Sequence, residues 1–199
     1  MEWRERDGVR WLSSSLPGAE VAFSGRAGGR SAAPYDTLNL GVLTGDEESD
    51  VRDNRARLTA ALGLEPDRVA IARQVHEATV LEHDAPQNPA PWATAGVEPP
   101  VADGHRTRAE GLALLVFVAD CLPIAVSDGE QLAMLHGGWR PLAAGIIERG
   151  VTGMSGGAAA IGPGIGPCCF EVGPEVLEAF SGLGPGIADG RMLLSLIHI

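Results

Sequence analysis

Cys121 and His136 stand close together in the chain, and His76 lies some way before them. These residue types share a soft cation or exchange a proton when they meet. Around the first two the sequence reads Leu112-Ala-Leu-Leu-Val-Phe-Val118, Asp120-Cys121-Leu-Pro123, Asp128-Gly129 and Gln131-Leu-Ala-Met-Leu-His136-Gly-Gly-Trp-Arg140. The apolar run is too short for a membrane span and reads as a buried strand, and Asp128-Gly129 is a two-residue hairpin signal. With those two residues at the turn, Ser127 pairs with Glu130, and counting down the ladder sets Cys121 opposite His136. Opposed Cβ atoms on one sheet face lie about 4.5–5.5 Å apart, close enough for a sulfur and an imidazole nitrogen to converge. Two soft ligands are therefore expected at the open end of a hairpin.

A third ligand would complete the centre. His76 ends Val69-Ala-Ile-Ala-Arg-Gln74-Val-His76, which reads as a strand with Gln74 and His76 on one face and Val69, Ile71 and Val75 on the other. A lone histidine at a strand end is more often structural, so His76 gains weight only by converging with the other two. Two imidazoles and a thiolate are the ligand number of a catalytic zinc site, whose fourth position keeps a water near pKa ~7. The same trio suits a copper site of His₂Cys type, with Met134 as a weak axial ligand because it shares the face of His136. A multinuclear copper oxidase needs many histidines, usually as His-x-His pairs, whereas this chain has 5 histidines and no such pair. Without a metal, Cys121 would be a nucleophile with His136 as base and Asp120 as orienter. Strand alternation, however, points Asp120 away from Cys121.

The elements that must position these groups come from a chain of 199 residues with 45% apolar content, one domain's worth of core. A formal net charge of -11 repels nucleic-acid backbones and anionic membrane surfaces, so neither is expected as a partner. The charged start Met1-Glu-Trp-Arg-Glu-Arg-Asp7 lacks a signal-peptide pattern, and 3 cysteines, two of them adjacent, do not make a disulfide framework; a cytoplasmic location is expected. A strand near Val21 runs into a glycine-rich loop with Ser24, Arg26 and Ser31, which reads as a solvated turn or an oxyanion cradle. Glu47 to Leu62 has helical spacing, acids first, arginines later and Gly63 as a stop. A strand at Thr79–Leu81 leads into proline-rich Asp84 to Pro100, long enough to be a lid or a free excursion. A helix is expected from Pro141 to Arg149, a strand near Ala158–Ile161 and a helix from Pro174 to about Phe180. Cys168 and Cys169, being adjacent, are expected to pack and shape backbone rather than share an ion. The stretch 191–199 ends in an apolar run, so His198 is discounted as a ligand.

Several blocks together resemble the laccase-domain family: Phe23-Ser-Gly-Arg-Ala-Gly-Gly-Arg-Ser31, Leu38-Asn-Leu-Gly41, Asn54-Arg55, Gln74-Val-His76, Ala102-Asp-Gly104, Ala119-Asp-Cys-Leu-Pro123, His136-Gly-Gly-Trp-Arg140 and Gly162-Pro-Gly-Ile-Gly-Pro-Cys-Cys-Phe-Glu-Val172. The family was formerly described as multicopper polyphenol oxidases and is now regarded as zinc-dependent purine nucleoside enzymes. The resemblance implies an α/β (α+β) sandwich, a mixed β-sheet core with flanking helices, in one domain over 1–190 with a non-matching tail at 191–199. It implies one zinc on His76, Cys121 and His136, with copper as the older alternative, and substrate contacts from Arg26, Asn39 and Arg140. The implied reactions are phosphorolysis of adenosine, inosine, guanosine and S-methyl-5′-thioadenosine, and deamination of adenosine. A peptidoglycan-editing amide hydrolase is the alternative for the same pocket. A non-enzymatic module with a structural zinc would instead show a fourth protein ligand. The expected partners are a purine nucleoside and phosphate, and the expected state is a monomer or weak homo-oligomer. Relatives continue further, so the chain is expected to be C-terminally truncated. Position 105, usually apolar in the family, is His105 and is expected at the surface.

Overall fold

The computed structural model describes residues 1–183 together with 188–189 and 192–193. The chain opens as a three-stranded antiparallel meander of Glu2–Arg6 (β1), Val9–Leu16 (β2) and Ala19–Ser24 (β3). Asp7 and Gly8, at φ 52° and 80°, supply the left-handed pair that a two-residue hairpin needs. Alternation gives the meander two buried faces: Val9 and Trp11 of β2 pack with Leu38, Leu58 and Val69, while Val21 and Phe23 of β3, on the face of Leu12, pack against Ala125 and Ala160; all of β1 is exposed. Glu48–Leu62 (α1) follows with acids in its first turn, Val51, Leu58 and Ala61 buried, and Gly63 at φ 70° closing it.

Next come Val69–Ala70 (β4), Val80–His83 (β5), Gly104–Thr107 (β6), Ala113–Leu114 (β7), Leu122–Ser127 (β8), Leu132–Gly137 (β9), Trp139–Ala143 (α2), Ile146–Gly150 (α3), Ala158–Ile161 (β10) and Pro174–Ala179 (α4). A last short pair, Ala188–Asp189 (β11) and Met192–Leu193 (β12), is antiparallel. Five strands form one mixed sheet in the order β10-β8-β9-β6-β5, parallel only between β5 and β6. On one face Ala133 and Leu135 pack against Ile146 of α3; on the other, Ala125 and Ala160 pack against Val21 and Phe23. Each large aliphatic side chain buried in this way contributes roughly 1.5–3 kcal/mol. The architecture is the expected mixed α/β sandwich, with α2 and α3 on one side of the sheet, the meander on the other and α1 packed against the meander.

The central hairpin differs from its expected register. Ser127 faces Leu132 and Pro123 faces His136, so the turn spans Asp128 to Gln131. Asp128 is the cause: its Oδ1 accepts from the N–H groups of Glu130 and Gln131 and caps a wider loop. A slip of two residues keeps every side chain on its face, so Cys121 is brought to His136 from one residue before β8 rather than from directly across the ladder. The expected strand at 69–76 pairs at β4 and at a single bridge between Arg73 and Val101, and the run Leu112–Val118 pairs at β7. Side-chain amides replace the missing ladder: Gln87 exchanges two hydrogen bonds with Ile71, and Gln74 two with Phe117.

The expected helix at 141–149 is two short ones, broken at Gly145 with φ 81°. Asp84 to Pro100 is neither lid nor excursion: Ala90 and Trp92 are buried, and the Arg55 guanidinium stacks 4.6 Å over Trp92 while donating to the Pro91 and Trp92 carbonyls. Cys168 and Cys169 are exposed rather than packed. The tail 191–199, with His198, lies outside the described residues except for Met192–Leu193.

His105 is not at the surface; it is 1% exposed, and its Nδ1 lies 2.9 Å from Nε2 of buried His83. Burial pushes both imidazoles below their ordinary range, His105 to about 3. Free imidazoles titrate near ~6.5, so below that pH the unfolded chain binds more protons than the folded one. Stability is then full above pH ~6.5 and falls as pH drops toward 3, by at most about 1.4 kcal/mol per pH unit for each imidazole. Replacing His105 with Leu should flatten the pH dependence of the urea midpoint between about pH 4 and 6. An unaltered slope would refute this role.

Candidate metal centre

The structure brings His76, Cys121 and His136 together: their ligand atoms all lie within 4.8 Å of one another. His76 Nε2 stands 3.9 Å from Cys121 Sγ, and the two imidazole rings meet edge to face with centroids 4.7 Å apart. Burial is graded, with His136 buried, Cys121 half-buried and His76 exposed. The trio is therefore walled on the β9 side and open toward His76. Gly138, at the start of α2, makes the approach possible, because a Cβ there would meet His76 Cδ2 at 3.1 Å and Cys121 Sγ at 3.2 Å.

Asp103 organises the centre, and the sequence gives it no role beyond membership of the Ala102-Asp-Gly104 block. Its fully buried carboxylate accepts from His136 Nδ1 at 2.8 Å and from the backbone N–H groups of Val75, His76 and Glu77 at 3.1, 2.9 and 2.9 Å. With Nδ1 donating to Asp103, the lone pair of His136 is left on Nε2, as in carboxylate–histidine–metal triads. The three backbone bonds hold His76 at φ 62°, a left-handed conformation that costs a side-chain-bearing residue about 1–2 kcal/mol. Burial would raise the Asp103 pKa, but His136 and the three N–H donors outweigh it and hold the carboxyl below its usual range.

The Cys121 thiol is pushed up by burial first and then by the carboxylates of Asp120 and Asp103. An isolated thiolate is disfavoured there, and a cation among the three ligands would reverse that balance. Burial likewise lowers His136, keeping the ring neutral and fit to ligate. His136 takes its orientation from Asp103, not from the exposed Asp120 proposed for a thiol triad. Two imidazoles, one sulfur, a fixed tautomer and one open side fit a single metal ion, which these residues could hold. Met134, two residues from His136 along β9, packs with the Val21 and Phe23 cluster.

The expected substrate contacts are less uniform. Arg26 lines the same cleft as the trio, its side chain 77% exposed, with Nε donating to the Asp36 carbonyl. Asn39 also lines the cleft, but its amide donates to Thr44 and Asp46 and accepts from Gly41, which shapes its own loop. Arg140 is exposed and stacks 4.3 Å over Trp139 on α2. In the glycine-rich loop the N–H groups of Gly29, Arg30 and Ser31 bond Thr37 and Asn54, so this backbone is already satisfied. Replacing Asp103 with Asn should weaken metal affinity roughly 10–100-fold and cost about 1.5–3 kcal/mol of stability. Competition with a chromophoric chelator and urea titration measure the two; unchanged metal affinity would remove Asp103 from the centre.

Comparison with known proteins identifies the family and the fold. Residues 20–196 match the family model described as multi-copper polyphenol oxidoreductase laccase. A Pseudomonas aeruginosa protein named purine nucleoside phosphorylase is 37% identical over 95% of this chain and 79% of its own length. The Escherichia coli purine nucleoside phosphorylase YfiH is 39% identical over 82% of this chain, which spans 65% of the YfiH length. Among solved structures, YlmD from Geobacillus stearothermophilus superposes with a TM-score of 0.79 at 29% identity, covering 94% of this chain and 73% of its own. A Neisseria meningitidis protein gives 0.77 at 32% identity, over 94% and 79%. The chain belongs to the laccase-domain family that this model defines.

Proposed function

We propose that the chain is a purine nucleoside enzyme working at one zinc ion held by His76, Cys121 and His136. The observation that carries this reading is the three-ligand cluster with one open side, which fits catalysis rather than a closed structural site. The names of the relatives, purine nucleoside phosphorylases, support the substrate class. Among the described residues this is the one group of three His, Cys, Asp or Glu side chains that could hold a metal. One such group favours a mononuclear centre over a multinuclear copper oxidase. Two nitrogens and a sulfur around an open corner suit zinc, which needs no redox partner.

The finer reading is phosphorolysis of adenosine, inosine, guanosine and S-methyl-5′-thioadenosine, together with deamination of adenosine. Bound zinc would supply Lewis-acid chemistry at neutral pH. The chain's own part is positional. Asp103 holds the His136 proton on Nδ1 and fixes the backbone of His76, so neither ring needs to reorient when substrate arrives. In phosphorolysis a phosphate oxygen forms a bond to ribose C1′ as the C1′–N9 bond breaks and N9 takes a proton. The exposed guanidinium of Arg26, on the wall of the cleft and 3.9 Å from the Asp36 carboxylate, is the group that would receive the phosphate in exchange for that ion pair. In deamination water adds its oxygen at C6 and ammonia leaves.

Elemental analysis of purified protein should find about one zinc per chain. Nucleoside turnover followed with and without phosphate then separates phosphorolysis from deamination. Replacing Cys121 with Ser is expected to lose metal and activity together, by at least ~100-fold in turnover. Full turnover by metal-free protein, or a covalent acyl adduct on Cys121, would overturn the metal reading in favour of a cysteine nucleophile.

A further inference from the structure

The adjacent cysteines 168 and 169 are not consumed by the centre described above. Their sulfurs converge to 3.3 Å, hydrogen-bonded to each other, and both side chains are exposed. The turn presenting them is held on both sides. Before it, the Ile165 N–H donates to the Asp120 carbonyl at 2.8 Å, and within it Cys169 and Phe170 N–H groups donate to the Gly166 carbonyl. After it, Phe170 packs against the cluster of Val172, Val176 and Phe180. The two thiols are thus displayed side by side on an anchored turn, three and four residues after Ile165.

Such a pair could close a disulfide or chelate one thiophilic centre, and geometry separates the two. A disulfide wants its Cα atoms about 4.4–6.8 Å apart, whereas adjacent residues stand about 3.8 Å apart across a trans peptide. A shared centre bonded to each sulfur at about 2.3 Å spans the sulfurs by about 3.3 Å at a right angle and about 3.8 Å at the tetrahedral angle. The observed 3.3 Å meets the right-angled, pyramidal case without moving the backbone. A tetrahedral zinc would also need further ligands, and among the described residues no group of three His, Cys, Asp or Glu includes either cysteine. A trivalent pyramidal centre needs only two sulfurs and one group of its own.

We propose that Cys168 and Cys169 form a dithiol site for trivalent arsenicals, independent of the nucleoside centre. With an organoarsenoxide the step balances without redox change. Both S–H bonds break, two As–S bonds form, and the arsenoxide oxygen leaves as water carrying the two thiol protons while arsenic stays trivalent.

Intact-protein mass spectrometry after treatment with phenylarsine oxide tests this on the full chain. The expected result is uptake of one arsenical less one water, surviving excess monothiol and removed by a dithiol. Cys168→Ser and Cys169→Ser should each weaken retention against monothiol by about 10²–10⁴-fold, the advantage of two-point attachment. Cys121→Ser should retain the adduct, and circular dichroism verifies that each variant is folded. Cys168→Ala and Cys169→Ala provide a second pair of variants if a serine disturbs the turn. No uptake, uptake equal in both single-cysteine variants and wild type, or uptake lost in Cys121→Ser would overturn the proposal.

Discussion

One buried carboxylate holds the centre together. Asp103 gathers four donors, three from consecutive backbone positions 75–77 and one from the His136 ring, at a site with no solvent exposure. Its own carbonyl also accepts the His136 N–H at 2.8 Å, so ring and backbone of that ligand are fixed by one residue. In a low-dielectric setting an ionised acceptor with every site used is rigid, whereas the same group with one donor missing is costly. The arrangement ties the start of β6, the end of β9 and the loop carrying His76 into one unit. His76, Cys121 and His136, from distant parts of the chain, could then share one ion without a dedicated helix or sheet for each.

The parts of this arrangement that were legible in the sequence are those set by residue type and parity. Cys121 and His136 could be expected on one face because any even slip of register leaves faces unchanged, and the slip here is two residues. The exact partner was not legible, since Asp128 looked like half of a two-residue turn and instead accepts two backbone N–H groups to widen it. His76 was identified for its chemistry but assigned the wrong backbone: period-two reasoning assumes an extended chain, and the residue sits at φ 62°. Its conformation is imposed by a carboxylate 27 residues away, which no local pattern encodes. Asp103 escaped for the same reason, because an acid between Ala102 and Gly104 reads as a turn residue until the fold buries it.

Long-range side-chain bonding also explains why the apolar strands were overestimated. The run at 112–118 has strand composition, yet its ladder is two residues long; the Gln74 amide continues it at Phe117, as the Gln87 amide does for Ile71 after β4, each mimicking a neighbouring strand. A polar residue supplying strand-like hydrogen bonds is indistinguishable, in sequence, from one facing solvent. His105 shows the converse. A polar residue at a buried position is tolerated because a second imidazole lies within 2.9 Å of it, and that partner becomes adjacent only through the parallel pairing of β5 with β6.

The cleft that the trio opens into measures about 2170 Å³, whereas pockets that enclose a small ligand are typically about 300–1,000 Å³. Shape alone therefore does little to fix a substrate in it, and orientation has to come from the few strong points on its wall. The metal corner is one. For an anion, the glycine-rich loop offers little backbone, since the N–H groups of Gly29, Arg30 and Ser31 are engaged by Thr37 and Asn54. A guanidinium remains: the Arg26 side chain is 77% exposed, with one bond to the Asp36 carbonyl and a 3.9 Å ion pair to the Asp36 carboxylate. An exposed pairing of this kind is weak by itself, on the order of 0–1 kcal/mol, so an anion would be held firmly there only with help from a second point on the wall. The cleft thus has one braced corner, where Asp103 fixes the ring of His136 and the backbone of His76, and one exposed cation at Arg26.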